Sequence, residues 1–150
     1  MPTIIQMVLQ DQGFGTLASM IKENDFAQTL DKKGPYTIFA PVNFAFEKLP
    51  DDSYKKMSAS ENEEYVSKLL SYHIIPSEIN EADIKQAIDD YGGSVPLKTL
   101  GGKRLTASLK QGRIFLIDEQ GNGGNLITTD VKASNGMMHT IDVVLRPNIK

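Results

Sequence analysis

Residues 36–46 read YTIFAPVNFAF, and the fold turns on this stretch. Thr37, Ile38 and Phe39 are β-branched or aromatic and suit a pleated strand. Pro41 has no N–H to give to a ladder, so the strand is expected over 36–40 and to close at Pro41. Asn43 follows with a side-chain oxygen that can accept from the bare N–H groups of a short helix over 44–49, which Pro50 ends. A strand therefore turns sharply into a helix. Lys33, Gly34 and Pro35 supply the turn that precedes it.

Toward the N-terminus the apolar residues recur at three and four, which predicts helices. Phe14, Leu17, Ala18 and Ile21 form one stripe, Ile4, Met7 and Val8 a shorter one, and Gly13 is the expected stop between them. Asn24 and Asp25 interrupt before Phe26, Ala27 and Leu30. Downstream, Ser60 and Glu63 have the spacing of a capping box, opening a helix whose inward stripe is Val66, Leu69, Leu70 and His73, with Tyr72 toward an edge and Pro76 as the end. Asn80 opens another, with Asp83 in its first turn and Ile84, Ala87, Ile88 and Tyr91 as the buried stripe, until Gly92 and Gly93 break it.

Beyond Ser94 the period changes to two, and glycine turns separate short strands over 95–100, 104–109 and 113–117. Leu105, Ala107 and Leu109 alternate as in a half-buried strand, whereas residues 114–117 are apolar on both faces and imply a central position. Residues 119–125 read as a mobile connection, and two further strands are expected over 126–130 and 137–145. In the last, Met137, His139, Ile141, Val143 and Leu145 share one face. Helices grouped first and a strand meander grouped later make the class α+β.

The chain has 150 residues, 40% of them apolar, and no cysteine or tryptophan. A chain this long buries enough surface for one core without disulfides, so residues 1–150 are expected to form a single domain. No apolar run reaches the roughly 18–20 residues of a membrane span, which predicts no membrane insertion. The formal charge is -3, distributed as -1 over residues 1–50, -6 over 51–90 and +4 over 91–150. The cations of the last part stand singly among strand residues, without the dense clustering that favours a phosphate backbone, so no nucleic-acid partner is expected.

Motifs for chemistry are sparse. His73 and His139 lack the spacing that holds a transition metal, and on apolar stripes each is expected to satisfy a buried backbone group. Ser71 and Ser134 lie near the histidines without a recognisable base and orienter. Asp118, Gln120, Asn122 and Gly123 match the oxygen spacing at the start of a calcium loop, but Thr129 stands where a bidentate Glu is required and no helix precedes them. Gly121, Gly123 and Gly124 fit no phosphate loop, and Asp51-Asp52 and Asp89-Asp90 fall at helix ends, where capping and solvation account for them. No catalytic residue, metal or cofactor is therefore expected.

Two blocks nevertheless match a family. YTIFAPVNFAF at 36–46 and ASNGMMHTIDVVLRP at 133–147 resemble the two signature blocks of fasciclin (FAS1) domains, and SYHIIP at 71–76 resembles the family's Tyr-His segment. GFGTLASMIKENDFAQTL at 13–30 is similar to its N-terminal helical region. Val42 stands where Thr is common, Met137 and Met138 replace branched aliphatics, and Arg146 occupies a position often apolar. The resemblance implies a wedge-like β-sandwich with a helical layer, a non-catalytic adhesion or interaction module of single-domain prokaryotic type. Its partner would be a protein or glycan, and the chain itself a monomer. In animal members the Tyr-His segment and an Asp-Ile pair before the second block are associated with partner recognition. By position these are Tyr72, His73, Ile74 and Ile75, and Asp130 and Val131, with Val in place of Ile. Periodicity turns His73 inward, where it would orient the segment, and leaves Tyr72 where its phenol can reach a surface while the ring packs.

Both blocks also have a physical reading of their own. The strand-to-helix corner at Ala40-Pro41 and a positive-φ turn at Asn135-Gly136 account for them as structure. The opening MPTIIQMVLQDQG carries no signal-peptide pattern. An extracytoplasmic place, secreted, periplasmic or surface-bound, is expected if a leader has been removed. If Met1 is the natural start, the chain is cytoplasmic, and the alternative is an intracellular accessory subunit, similar to the fasciclin-like subunit of cyanobacterial CO2-uptake complexes.

Overall fold

A computed structural model of the chain describes residues 2–23, 34–47 and 63–146. Helix α1, Ile4–Gln10, opens on a capping box between Thr3 and Gln6, and α2 spans Gly15–Glu23. Gly13 does not stop a helix between them. It lies in a 3-10 turn, Gln12–Phe14, whose first N–H groups are met by Asp11 Oδ1 accepting from Gly13 N at 2.8 Å. The turn swings Phe14 onto the same stripe as Leu17, Ala18 and Ile21, and all four are buried. The segment holding Phe26, Ala27 and Leu30, and Ser60, lie outside the described residues.

Strand β1, Tyr36–Pro41, leads into α3, Asn43–Glu47, as the corner predicts. Asn43, however, caps a different helix. Its Oδ1 accepts from Thr16 N at 3.0 Å and its Nδ2 donates to Gln12 O at 2.8 Å, so it serves the start of α2 and ties α3 to the N-terminal layer. Helix α4, Glu63–Ser71, ends five residues before Pro76, because the chain turns at Tyr72 and His73 into a two-residue strand β2, Ile74–Ile75.

Two four-stranded sheets follow. The first runs β2-β1-β8-β7, where β7 is Val131–Ala133 and β8 is Gly136–Ile141. Its centre is the parallel pair β1 and β8, in register from Tyr36↔Gly136 to Pro41↔Ile141. Gly136 has the positive φ expected after the turn at 134–135, 159, and is needed for proximity as well, because a Cβ would overlap the Tyr36 carbonyl oxygen. Strand β8 is buried at every position because the N-terminal helices cover one side and the second sheet the other. It ends at Ile141, shorter than the alternation through Leu145 suggests, although His139, Ile141 and Leu145 do line the sandwich side.

The second sheet runs β3-β4-β5-β6, formed by Ser94–Lys98, Arg104–Lys110, Arg113–Ile117 and Gly123–Asn125. Residues 123–125 thus extend the sheet where a mobile connection was expected. The strand anticipated over 126–130 is replaced by a single bridge, Leu126↔Ile141, and by bonds at Ile127 and Thr128 that stitch the sheets together. Asp130, at φ 62, then breaks the extended backbone before β7. Helix α5, Glu81–Asp90, is capped by Asn80 and Asp83 as predicted and places Ile84 and Ile88 in the sandwich core. Tyr91 does not join them. It is the C-cap, past the last full turn, and 67% exposed.

Candidate functional site

The Tyr-His segment is interior. Tyr72 and His73 retain only 1% and 2% of their surface, and Ile74 and Ile75 are buried as β2 against β1. The expectation that Tyr72 shows its phenol at a surface is corrected: the hydroxyl donates to Arg104 O at 2.6 Å and accepts from Glu119 N at 3.1 Å, bridging β4 to the loop after β5. Burial, with the nearby Glu119 carboxylate, pushes this phenol well above its ordinary range. His73 holds α4 to the C-terminal segment. Its Nδ1 lies 2.8 Å from Leu69 O and its Nε2 accepts from Leu145 N at 2.9 Å, so Nδ1 carries the proton. Burial lowers its pKa to about 4, leaving the ring neutral.

The second candidate pair stands at the opposite edge of the same sheet, and a strap formed by residues 77–81 joins the two. Thr37 Oγ1 donates to Ser77 O at 2.6 Å and accepts from Ile79 N at 2.9 Å, which fixes the strap over β1. His139 Nε2 lies 2.9 Å from Ile79 O, which fixes it over β8. Lys132 on β7 pairs with Glu78, and Glu81 N donates to Asp130 Oδ1 at 2.7 Å. Thr129 Oγ1 donates to Glu81 Oε2 at 3.1 Å, completing the far end.

Asp130 is therefore held from two sides. Its N–H donates to His139 Nδ1 at 3.1 Å while its carboxylate caps α5, and this over-determination sustains a left-handed backbone that few residues other than glycine adopt. His139 is fully buried and stacked on Phe39, with ring centroids 5.7 Å apart. Burial lowers its pKa against the opposing pull of Ile79 O, Asp130 and Glu81, so the 3.9 Å approach of Asp130 Oδ1 is to a neutral ring. Both histidines thus take the core role read from their stripes.

Asp130 keeps 48% of its side-chain surface. Val131 is half-buried on the helical side of β7, where it lines an open cleft of about 600 Å³ with Met7, Gln10, Asp11, Gln12 and Met138. Of the six candidate residues, Asp130 and Val131 reach solvent. Asp118 has both oxygens committed: Oδ1 accepts from Gln120 N and Asn122 N and Oδ2 from Arg146 N, each at 2.9 Å. The oxygen-rich spacing of 118–123 is therefore a turn closed by its own aspartate. Among the described residues no group of three His, Asp or Glu converges as metal ligands, and no helix is long and apolar enough to cross a membrane.

Sequence reasoning missed Thr37 and the strap. A threonine inside an otherwise apolar strand and the Asn80 cap were their signals, but a hydroxyl bonding forty residues away leaves no local pattern.

Comparison with known proteins bears on the whole chain. The Fasciclin domain profile matches residues 12–147. The chain is 33% identical over 145 residues to Protein sll1483 of Synechocystis, covering 97% of itself and 73% of that protein. It is 31% identical to the transforming growth factor-beta-induced protein ig-h3 of Sus scrofa, of which it spans 20%. Its fold matches the FAS1 domain pair of the insect cell adhesion molecule Fasciclin I, with a TM-score of 0.82 at 22% identity, covering 99% of this chain and 51% of that one.

Proposed function

This chain belongs to the fasciclin domain family, and from that premise we propose that it is a non-catalytic interaction module binding a protein or glycan partner at a cell surface or in the periplasm. The observation that carries the reading is the division within the candidate site. The groups able to do acid–base chemistry in the interior, Tyr72, His73, Asp118 and His139, are bonded to backbone, whereas Asp130 is exposed just before the edge strand β7 and Val131, its first residue, lines a cleft. Relatives in the same family support an adhesive role through a protein named as an insect cell adhesion molecule.

In this reading Asp130 and Val131 touch the partner, and Tyr72 to Ile75 position them through the strap. The test is binding of the labelled chain to cell-envelope material from its source. Asp130→Ala combined with Val131→Ser is expected to lower binding at least about fivefold with the fold retained, because interface energy concentrates in a few residues. Unchanged binding would remove this edge from the site. Fractionation of source cells checks the compartment, and recovery only from the cytoplasm would favour a subunit role.

A further inference from the structure

The outward face of the second sheet takes no part in either candidate segment. Alternation sets Leu105, Ala107, Ile114 and Leu116 against the sandwich core, so the intervening residues of β3, β4 and β5 face away from it. Four of these are cations, all exposed: Lys98 and Arg104, paired across β3 and β4 at one end, and Lys110 and Arg113, paired across β4 and β5 at the other. No acidic residue occupies an outward position on the four strands. Of the acids beside the sheet, Asp142 accepts from Asn125 N at 3.0 Å on the core side, next to Gly124, and Asp118 and Glu119 follow β5, with Asp118 turned inward onto backbone N–H groups.

Between the two cationic ends lies Phe115, half-buried on the open side of the sheet. Its ring lies over Gly123 on the edge strand, where a Cβ would meet Cε1 and Cζ at 2.5 Å, and Lys110 Nζ stands 4.9 Å from the ring centroid. The glycine thus lets an aromatic ring lie along the face. Arg113 is steadied by a bond from Nη2 to Leu126 O at 3.0 Å. The two cation pairs, six residues apart along β4, are separated by about 20 Å, and the four strands are about 14 Å across.

We propose that this face binds an anionic polysaccharide, laid along the strands with its acidic groups on both cation pairs and a sugar ring over Phe115. The proposal deepens the interaction-module reading and rests on it. The charge is complementary, and a repeating polyanion can meet two cation pairs that a small anion cannot span. A flat strip of this size is also well short of the roughly 800 Å² per partner of a stable protein interface, whereas a single polymer chain needs no more than the strip.

The test titrates the whole chain with polygalacturonate, a neutral galactan of equal length, duplex DNA and anionic phospholipid vesicles, each at about 30 and about 150 mM salt. Polygalacturonate is expected to bind, to weaken at least about tenfold at the higher salt, and to be preferred over the other three at both. Arg104→Glu with Arg113→Glu should lose that binding, Phe115→Ser should weaken it, and Lys22→Glu, exposed on α2 in the helical layer on the far side of the first sheet, should leave it unchanged, all with the fold checked by circular dichroism. Equal binding of DNA or vesicles, binding of the neutral galactan, or indifference to the Arg pair would overturn the proposal. Envelope binding that is lost in the Asp130/Val131 variant but kept in the Arg pair would overturn it while leaving the interaction-module reading standing. A chain that binds no envelope material at all would remove that reading first.

Discussion

Tyr72→Phe separates packing from contact in the Tyr-His segment. The substitution keeps the ring and deletes one oxygen, which donates to Arg104 O and accepts from Glu119 N in a side chain that is 1% exposed. Both backbone groups lose a partner in a place that water reaches poorly, and stranding such groups costs about 1–3 kcal/mol. For a chain of 150 residues this corresponds to a fall in Tm of roughly 3–10 °C. Urea unfolding of both forms gives the difference, with an unchanged denaturant slope showing that only stability has moved. Envelope binding, measured at 25 °C where both forms are folded, should stay within about twofold. A stability loss under about 0.5 kcal/mol would refute the bridging role, and a collapse of binding without a matching loss of stability would make the phenol a partner contact after all.

Two more outcomes follow from the same contacts. His73 binds its proton near pH 4 in the folded chain and near 6.5 when unfolded, so unfolding takes up a proton between those values; stability is full above about pH 6.5 and falls by up to about 3 kcal/mol as the pH drops to 4, with His139 acting in the same direction. Urea midpoints from pH 7.5 to 4.5 measure this, and a flat profile from 7 to 5 contradicts it. Asn43→Ala removes both the acceptor for Thr16 N and the donor to Gln12 O, and should cost about 1–2 kcal/mol, read by the same unfolding assay; no measurable loss would contradict its role as the tie between α3 and the start of α2.

The fold was largely legible because its periodicities are strong and its punctuation is local. The stripe from Phe14 to Ile21, the Asn80–Asp83 cap and the strand-to-helix corner at Pro41 each announce themselves within a few residues. What escaped reading involves partners distant in sequence. Asn43 has the right chemistry for a cap but serves a helix twenty-seven positions upstream, and Gly136 is required by the Tyr36 carbonyl a hundred residues away. Tyr91 was misplaced for a simpler reason: its spacing continues the stripe of α5, but the helix stops one residue before it. In the candidate site, the residue types were legible and their exposure was not, since a two-residue strand such as β2 carries no alternation to show that both its faces are covered.

That burial changes what the Tyr-His segment can do. It occupies one edge of the β2-β1-β8-β7 sheet and Asp130-Val131 adjoins the other, about 14 Å away across three strand spacings. A partner seated on Asp130 therefore has no direct path to Tyr72 or His73. The strap supplies an indirect one, because Ser77, Ile79 and Glu81 transmit the position of β2 through Thr37 and His139 to the carboxylate of Asp130. Substitutions in the buried segment should then weaken binding only insofar as they loosen the strap, and the loss should scale with the loss of stability. Asp130→Ala differs in kind: it removes the acceptor for Glu81 N at an exposed helix start, where water can replace it, so binding should fall further than stability does. Two edges of one sheet, both identified from short motifs, thus become distinguishable by the slope of binding against stability, steep at Asp130 and shallow at Tyr72.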